Sequence, residues 1–343
     1  MIRVLHTGDL HLDSPFRGLS AEKAQLRREE QRSLLDKIAA LTEEREVDVV
    51  LIAGDLFDRC NVSARARNYF LDTVRSTPEV GFYLLRGNHD SRVLTGCELP
   101  ENLHLFGDEW SSFDLGEVVI TGAAAPDAES LSLDASRPNI VVLHGADRQE
   151  FSLSALAGKG IDYLALGHFH SFSCGRLDLR GEWCYSGCPE GRGFDECGEK
   201  GFVLLDISGG KITHTFIPSA VRQVAAVDVD MTGAVTLSLQ REAIYAALSG
   251  TDRKNIVRVN VTGTFEPGRE KYYQSIIDEL SPEFFYLELT DSSKMRIEPS
   301  DYADDISLKG EFIRLVTEKV ADEEERGRII TFGIRALRGE ELV

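Results

Sequence analysis

Apolar residues recur along this chain in two rhythms. Up to about residue 220, short apolar runs stop at polar clusters: Ile2, Val4 and Leu5 ahead of Asp9, 49–53 ahead of Asp55, 82–85 ahead of Asn88, 140–143 ahead of His144, and 161–166 ahead of His168. Runs this short and this continuous predict strands. The stretch 21–45 has the helical rhythm instead, with Leu26, Leu34, Leu35, Ile38 and Leu41 forming most of a stripe and Ser20 placed to cap it. A second helix is expected over 63–76. Beyond Asn88 the pattern predicts strands alone, over 103–106, 118–121, 140–143, 163–166, 175–179, 183–185, 202–207 and 212–217. Two facing sheets with helices outside, an α/β four-layer αββα sandwich, accommodate this order.

A break is expected at 218–222, so that residues 1–218 form the sandwich and 219–300 a small α+β domain. The second region reads as strand 224–229, helix 238–248, strand 256–261, helix 270–280 and strand 284–289. Tyr273, Ile276, Ile277 and Leu280 share the core-facing side of its second helix. Residues 301–343 read as a helical tail. There Leu308, Phe312, Leu315 and Val320 form one stripe, Asp322 can cap a second helix with Glu325 three residues on, and Ile330, Ile334 and Leu337 continue an apolar face.

The strand-end clusters carry metal-binding side chains. They read Asp9-x-His11, Gly54-Asp55-x-x-Asp58, Gly87-Asn88-His89-Asp90, His144-Gly145 and Gly167-His168-x-His170. Any one of them alone is an ordinary turn. In an open α/β sheet, however, the carboxyl ends of the strands form one rim, so ordered clusters at strand ends converge on one site. Carboxylate, amide oxygen and imidazole suit divalent transition ions, a carboxylate can bridge two of them, and the paired charge acidifies water enough for in-line attack on phosphorus. The pattern predicts a two-metal phosphoesterase. His6, inside the first strand, and His104 and His214, in β-like runs, read as packed or surface side chains.

These clusters, together with Asp-Leu-His-Leu-Asp-Ser-Pro-Phe at 9–16, Gly-Asp-Leu-Phe-Asp at 54–58 and Tyr-Ser-Gly-Cys-Pro-Glu-Gly-Arg at 185–192, resemble the calcineurin-like metallophosphoesterases. The runs are most similar to the SbcD-type DNA repair exonucleases and, among these, to their YhaO branch. The resemblance implies that Asp9, His11, Asp55 and His170 hold one metal and Asp55, Asn88, His144 and His168 the other, with Asp55 as bridge and Mn²⁺ as the ion. It implies that His89 contacts the phosphate and protonates the leaving oxygen, a task that suits imidazole's near-neutral pKa. It also implies that the small domain caps the nuclease site and that the tail docks on the coiled coil of an SbcC-like ATPase. Asp58 and Asp90 are candidates for orienting these side chains, and Arg86 and Arg92 for binding phosphate. The expected activity is a DNA phosphodiesterase, exonuclease or endonuclease, of a repair complex. A phosphoesterase for small molecules or phosphoproteins could use the same metal site, and a non-cleaving scaffold is disfavoured by the intact ligand set.

Charge runs against the nucleic-acid reading. The formal net charge is −19, and residues 1–200 hold 21 Lys plus Arg against 33 Asp plus Glu, a balance of −12. Nucleic-acid binders usually show a basic surface, so weak intrinsic DNA affinity is expected, with a partner supplying much of the grip. Arginines nonetheless gather near the strand ends, among them Arg86, Arg92 and Arg192, the last expected in the strand after the fifth cluster. No apolar run approaches the roughly 18 residues that span a bilayer. A cytoplasmic protein is expected; the crowding of four of its six cysteines at 174–197 raises a structural zinc site, which the lack of a Cys-x-x-Cys pair disfavours, and reduced, partly buried thiols are the expectation in that compartment. A homodimer is among the assemblies the sequence allows.

Overall fold

The structure, a computed structural model, describes residues 1–58, 62–87, 93–145, 152–265, 269–296 and 302–337. The chain divides into two compact units, Met1–Val224 and Ala225–Val343.

The first unit holds two six-stranded sheets. One contains β1 (Ile2–Thr7), β2 (Val49–Ala53), β3 (Gly81–Leu85), β4 (Leu103–Leu105), β11 (Gly201–Ser208) and β12 (Lys211–Pro218), in the order β12-β11-β1-β2-β3-β4. The other contains β5 (Ser111–Asp114), β6 (Val119–Gly122), β7 (Asn139–His144), β8 (Tyr163–Gly167), β9 (Ser173–Arg176) and β10 (Glu182–Tyr185), in the order β5-β6-β7-β8-β10-β9. β1 to β4 run parallel, as do β6, β7, β8 and β10.

Burial on both faces explains the unbroken apolar runs. In β2, Val49, Leu51 and Ala53 pack toward Ile140, Val142 and Ala165 of the facing sheet. The alternate residues Val50 and Ile52 pack under α1 (Ala21–Glu44) and α2 (Ala64–Ser76), against Leu34, Leu35, Ile38 and Phe70. Residues two apart in a strand share a face, so each run supplies two cores at once. On the far side of the second sheet Val141, Leu143, Leu164 and Leu166 are covered by Leu131 and by Leu156 of α3 (Leu153–Leu156). The architecture is the expected four-layer sandwich, and the described part of its outer layer here is thin.

Several expectations need correction. Leu26 of the α1 stripe is 40% exposed, because the adjoining turn buries Arg27, which donates to Glu30, Glu190 and the Gly191 carbonyl. The Ser20 cap is present, accepting from the Lys23 amide. The strand expected at 175–179 is β9, which starts and stops earlier in the chain, and β5 lies outside the expected strands. Arg192 lies in the loop between β10 and β11, not in a strand. Cys174 and Cys184 are not separate thiols: they face each other across the antiparallel β9–β10 pair and are joined as a disulfide.

The second unit has a three-stranded sheet, order β13-β14-β16, from β13 (Val224–Asp230), β14 (Ile256–Thr262) and β16 (Tyr286–Asp291), and a two-stranded pair of β15 (Thr264–Phe265) with β17 (Lys294–Met295). α4 (Leu237–Leu248) and α5 (Tyr273–Leu280) cover the larger sheet through Ile244, Leu248, Ile276, Ile277 and Leu280. α6 (Leu308–Lys319) and α7 (Glu323–Leu337) form the helical tail. Their shared core is Ile313, Val316, Ile330 and Ile334. The α6 stripe is therefore rotated from the expected one, leaving Leu308 at 69% and Leu315 at 49% exposed. Among the described residues no helix is long and apolar enough to cross a membrane.

Candidate metal centre

Two loops are stitched together at the carboxyl ends of β1 and β2. The Asp9 amide donates to the Gly54 carbonyl, that of His11 to Asp55, that of Leu12 to Leu56, and that of Asp58 back to Leu12, all between 2.9 and 3.1 Å. The stitching requires an unusual backbone. Asp9, His11 and Asp55 have φ of 51°, 44° and 47°, and His168 at the end of β8 has 83°. Left-handed backbone is disfavoured by about 1–2 kcal/mol per non-glycine residue, so the fold stores strain at these positions. Gly54, itself at a φ of 88°, has a further task, since a Cβ there would collide with the His144 ring.

Six of the candidate ligands lie in the described residues and all gather here. The imidazole and carboxylate atoms of Asp9, His11 and His170 lie within 4.8 Å of one another, and so do those of Asp9, Asp55 and His144. Asp55 Oδ2 is 3.3 Å from His144 Nε2 and 3.7 Å from His11 Nε2, so it faces both groups. His11 Nε2 and His170 Nε2 are 3.2 Å apart. His168 stands edge-on to His144, with ring centroids 5.4 Å apart, and its amide donates to both oxygens of Asp9. Asn88, His89, Asp90 and Arg92 lie outside the described residues.

The remaining ring nitrogens are anchored to protein groups. His144 Nδ1 is 2.9 Å from the Ala53 carbonyl, which can only accept, so Nδ1 carries the proton and Nε2 turns toward Asp55. His170 Nδ1 is 2.7 Å from Glu196 Oε1, and Glu196 also receives Arg192. A carboxylate behind a histidine fixes its tautomer and raises its basicity as a ligand. Asp58 accepts from Ser14 and Arg192 and lies 3.7 Å from His11 Nδ1. Arg86, a phosphate candidate, donates to Asp108. Glu196 is not legible as a site residue from sequence, because it sits in an irregular loop with no periodic signal; only the neighbouring Arg192 points to that loop. His6, His104 and His214 are engaged elsewhere, with the Tyr163 hydroxyl, the Tyr83 ring and Glu182 respectively.

Electrostatics match a site built for cations. Burial raises the Asp9 carboxyl to about 6, against the opposing pull of His144 and His170. Burial lowers His11 to about 3, helped by the Arg192 charge. Burial would lower His144 too, but its hydrogen bond to Asp55 and the charges of Asp55 and Asp9 outweigh it and raise the ring to about 9. For Glu196, burial is overcome by His170 and Arg192, which hold the carboxyl well below its usual range. Buried carboxylates beside converging imidazole nitrogens fit divalent cations in chemistry and spacing.

The calcineurin-like phosphoesterase family profile matches residues 2–172. A relative from Bacillus subtilis strain 168, the uncharacterized metallophosphoesterase YhaO, is 31% identical over 296 residues, covering 76% of this chain and 71% of that protein. The chain belongs to the calcineurin-like phosphoesterase family. Its two overlapping donor groups form a two-metal site of the kind typical of that family, and it is a metal-dependent phosphoesterase by its active site. More distant relatives include the SbcD component of nuclease SbcCD from Bacillus subtilis, 29% identical over 38% of this chain and 35% of that one. The Escherichia coli K12 protein of the same name is 25% identical over 62% of this chain and 66% of its own length. This chain thus spans less than two thirds of either SbcCD component.

Proposed function

We propose that this phosphoesterase is a DNA phosphodiesterase, exonuclease or endonuclease, working in a repair complex. Asp9, His11, Asp55 and His170 hold one ion and Asp55, Asn88, His144 and His168 the second, with Mn²⁺ as the working metal. The observation that carries this division is Asp55, whose carboxylate faces donors of both groups. Bound divalent ions supply Lewis-acid polarisation of the phosphoryl group and activate water for in-line displacement. The chain's own residues set the stage for that chemistry. Ala53 and Glu196 orient the rings of His144 and His170. His89 gives its proton to the leaving oxygen, and Asp90, Arg86 and Arg92 assist around the phosphate.

DNA is favoured as substrate by the relatives, two of which are named as parts of a nuclease and another, from Methanopyrus kandleri, as the DNA double-strand break repair protein Mre11. Their naming as one component of a larger nuclease also supports an SbcC-like coiled-coil ATPase as partner, docking on the tail, where Leu308, Leu315 and Phe332 are exposed. A second reading, a phosphoesterase for small molecules or phosphoproteins, is favoured by the charge of −19. The test offers the Mn²⁺-loaded protein linear duplex DNA, single-stranded DNA and a small aryl phosphodiester side by side. Cleavage of DNA supports the proposal; turnover of the aryl diester with both DNAs intact would replace it by the second reading.

A further inference from the structure

The loop after β8 alternates donors with aromatic side chains: His168, Phe169, His170, then Phe172. Phe169 is 51% exposed although both its neighbours in sequence are site histidines. Leaving a phenylalanine in water forgoes much of the benefit of burying it, and a single exposed one is unremarkable on a surface. This ring, however, is held in place. It stands edge-on to His168, with centroids 5.4 Å apart, and edge-on to Tyr185, at 4.8 Å and 79°. Tyr185 is half-buried and braced in turn by Trp183 at 5.7 Å. Gly145, next to His144, makes room for this arrangement, because a Cβ there would press on the Tyr185 ring at 3.1 Å. The aromatic chain Trp183–Tyr185–Phe169 therefore ends at the metal centre with its last ring in solvent.

We propose that Phe169, braced by Tyr185, is a stacking platform for an unpaired nucleobase of the strand whose phosphodiester lies at the metal centre. The proposal rests on DNA being the substrate. Phe169 touches the His168 ring, 5.4 Å between centroids, so the nucleotide next to a phosphate held at that histidine lies within reach of its face. Within a duplex both faces of a base are already stacked. A free face is offered by a single strand or a frayed end, so the platform selects those over internal duplex. Base–aromatic stacking tolerates any base, and an acidic surface with little general attraction for DNA gains from such an uncharged contact.

The test compares wild type with Phe169→Leu, which keeps apolar bulk without a ring face, and Phe169→Trp, which keeps the face. Full-length Mn²⁺-loaded proteins are assayed on a single-stranded oligonucleotide and on the same strand carrying one abasic position, scanned along its length. Metal content is measured in every sample. Phe169→Leu is expected to raise KM for the intact strand about five- to a hundredfold, from the usual strength of one base stack, with Phe169→Trp close to wild type. At one abasic position the difference between wild type and Phe169→Leu should vanish. Equal KM for wild type and Phe169→Leu, an unchanged gap at every abasic position, or loss of metal in Phe169→Leu would each overturn the platform. Wild type that turns over an aryl diester but no DNA is a separate result, which removes the substrate reading itself.

Discussion

Among the described residues of 1–224, seven that are not glycine have positive φ: Asp9, His11, Asp13, Phe16, Glu46, Asp55 and His168. In residues 225–343, the described residues with positive φ are glycines alone, Gly233 and Gly263. Burial of charge divides the same way. The first unit buries Asp9, Asp55, Arg27, Glu190 and Glu196, whereas the buried polar residues described in the second are Gln240 and Asn255. Strain and buried charge both lower stability, and they are tolerated where a surrounding core over-determines the geometry. The two sheets of the first unit provide such a core. The second unit is regular by comparison, with an apolar core inside and exposed apolar side chains on α4, among them Leu237 and Leu239, as well as on the tail.

If chemistry resides wholly in the strained unit, the largest loss should follow from the donor proposed to bridge the two ions. Asp55→Asn is expected to abolish turnover, because a neutral amide cannot hold two cations as a carboxylate does. Elemental analysis alongside activity checks this, and near-normal turnover with two metals per chain would defeat the bridging assignment. A smaller loss separates proton transfer from metal binding. His89→Ala should lower the rate about a hundredfold while metal content stays at two, the usual scale for general acid catalysis. Metal loss in that variant would make His89 a ligand instead.

Glu196→Gln sharpens the comparison at one remove from the donors. It should weaken metal affinity about 10- to 100-fold, the range typical of partners behind a ligating histidine. Competition with a chelator measures it, and an unchanged affinity would mean that the His170–Glu196 contact only supports the loop. The pH dependence of the metal-free protein gives a subtler effect. The His144 ring titrates at its ordinary 6.5 when unfolded and at about 9 when folded, so the stability its proton contributes is full below 6.5 and is lost as pH rises through 9. His6 and His11, lowered to about 3, act in the opposite sense but only below 6.5, and Asp9, raised to about 6, has largely titrated by pH 7. Between pH 7 and 9 the Tm of metal-free protein should therefore fall, on the order of several degrees. Metal-loaded protein, whose His144 is already deprotonated, should hold steady. Parallel melting curves for the two forms would contradict this.

The smallest effect is expected from the other unit. Removing residues 304–343 should leave metal content and hydrolysis of a small diester unchanged, while binding to a coiled-coil ATPase disappears. Co-purification with the candidate partner, with DNA cleavage followed across a salt series, reads both. A truncated protein that loses its metal would end the separation between the units, and one that still binds the ATPase would end the docking reading.

Much of the first unit is legible from residues alone. Apolar runs ending at Asp9, Asp55, His144 and His168 mark the strands and the rim, since local side-chain alternation and a strand's carboxyl end are properties of short stretches. The same locality explains where the pattern misleads. Leu26 and Leu315 sit at helical spacing with true core residues, but the buried face also depends on what lies opposite: a charged Arg27–Glu190 network in one case and α7 in the other. Cys174 and Cys184 are ten residues apart and become neighbours through strand register, which no spacing rule announces.

By itself the sequence determined the kind of donors, their order along the chain and their place at strand ends, because these are fixed by covalent order and by the two-residue period of a strand. Only the tertiary structure decided that Glu196 stands behind His170, that His144 presents Nε2, that Asp55 faces both groups, and that Phe169 remains in solvent. Each of these depends on a loop meeting a side chain from a distant part of the chain. Such meetings are set by how two sheets pack, and they leave no periodic trace in the order of residues.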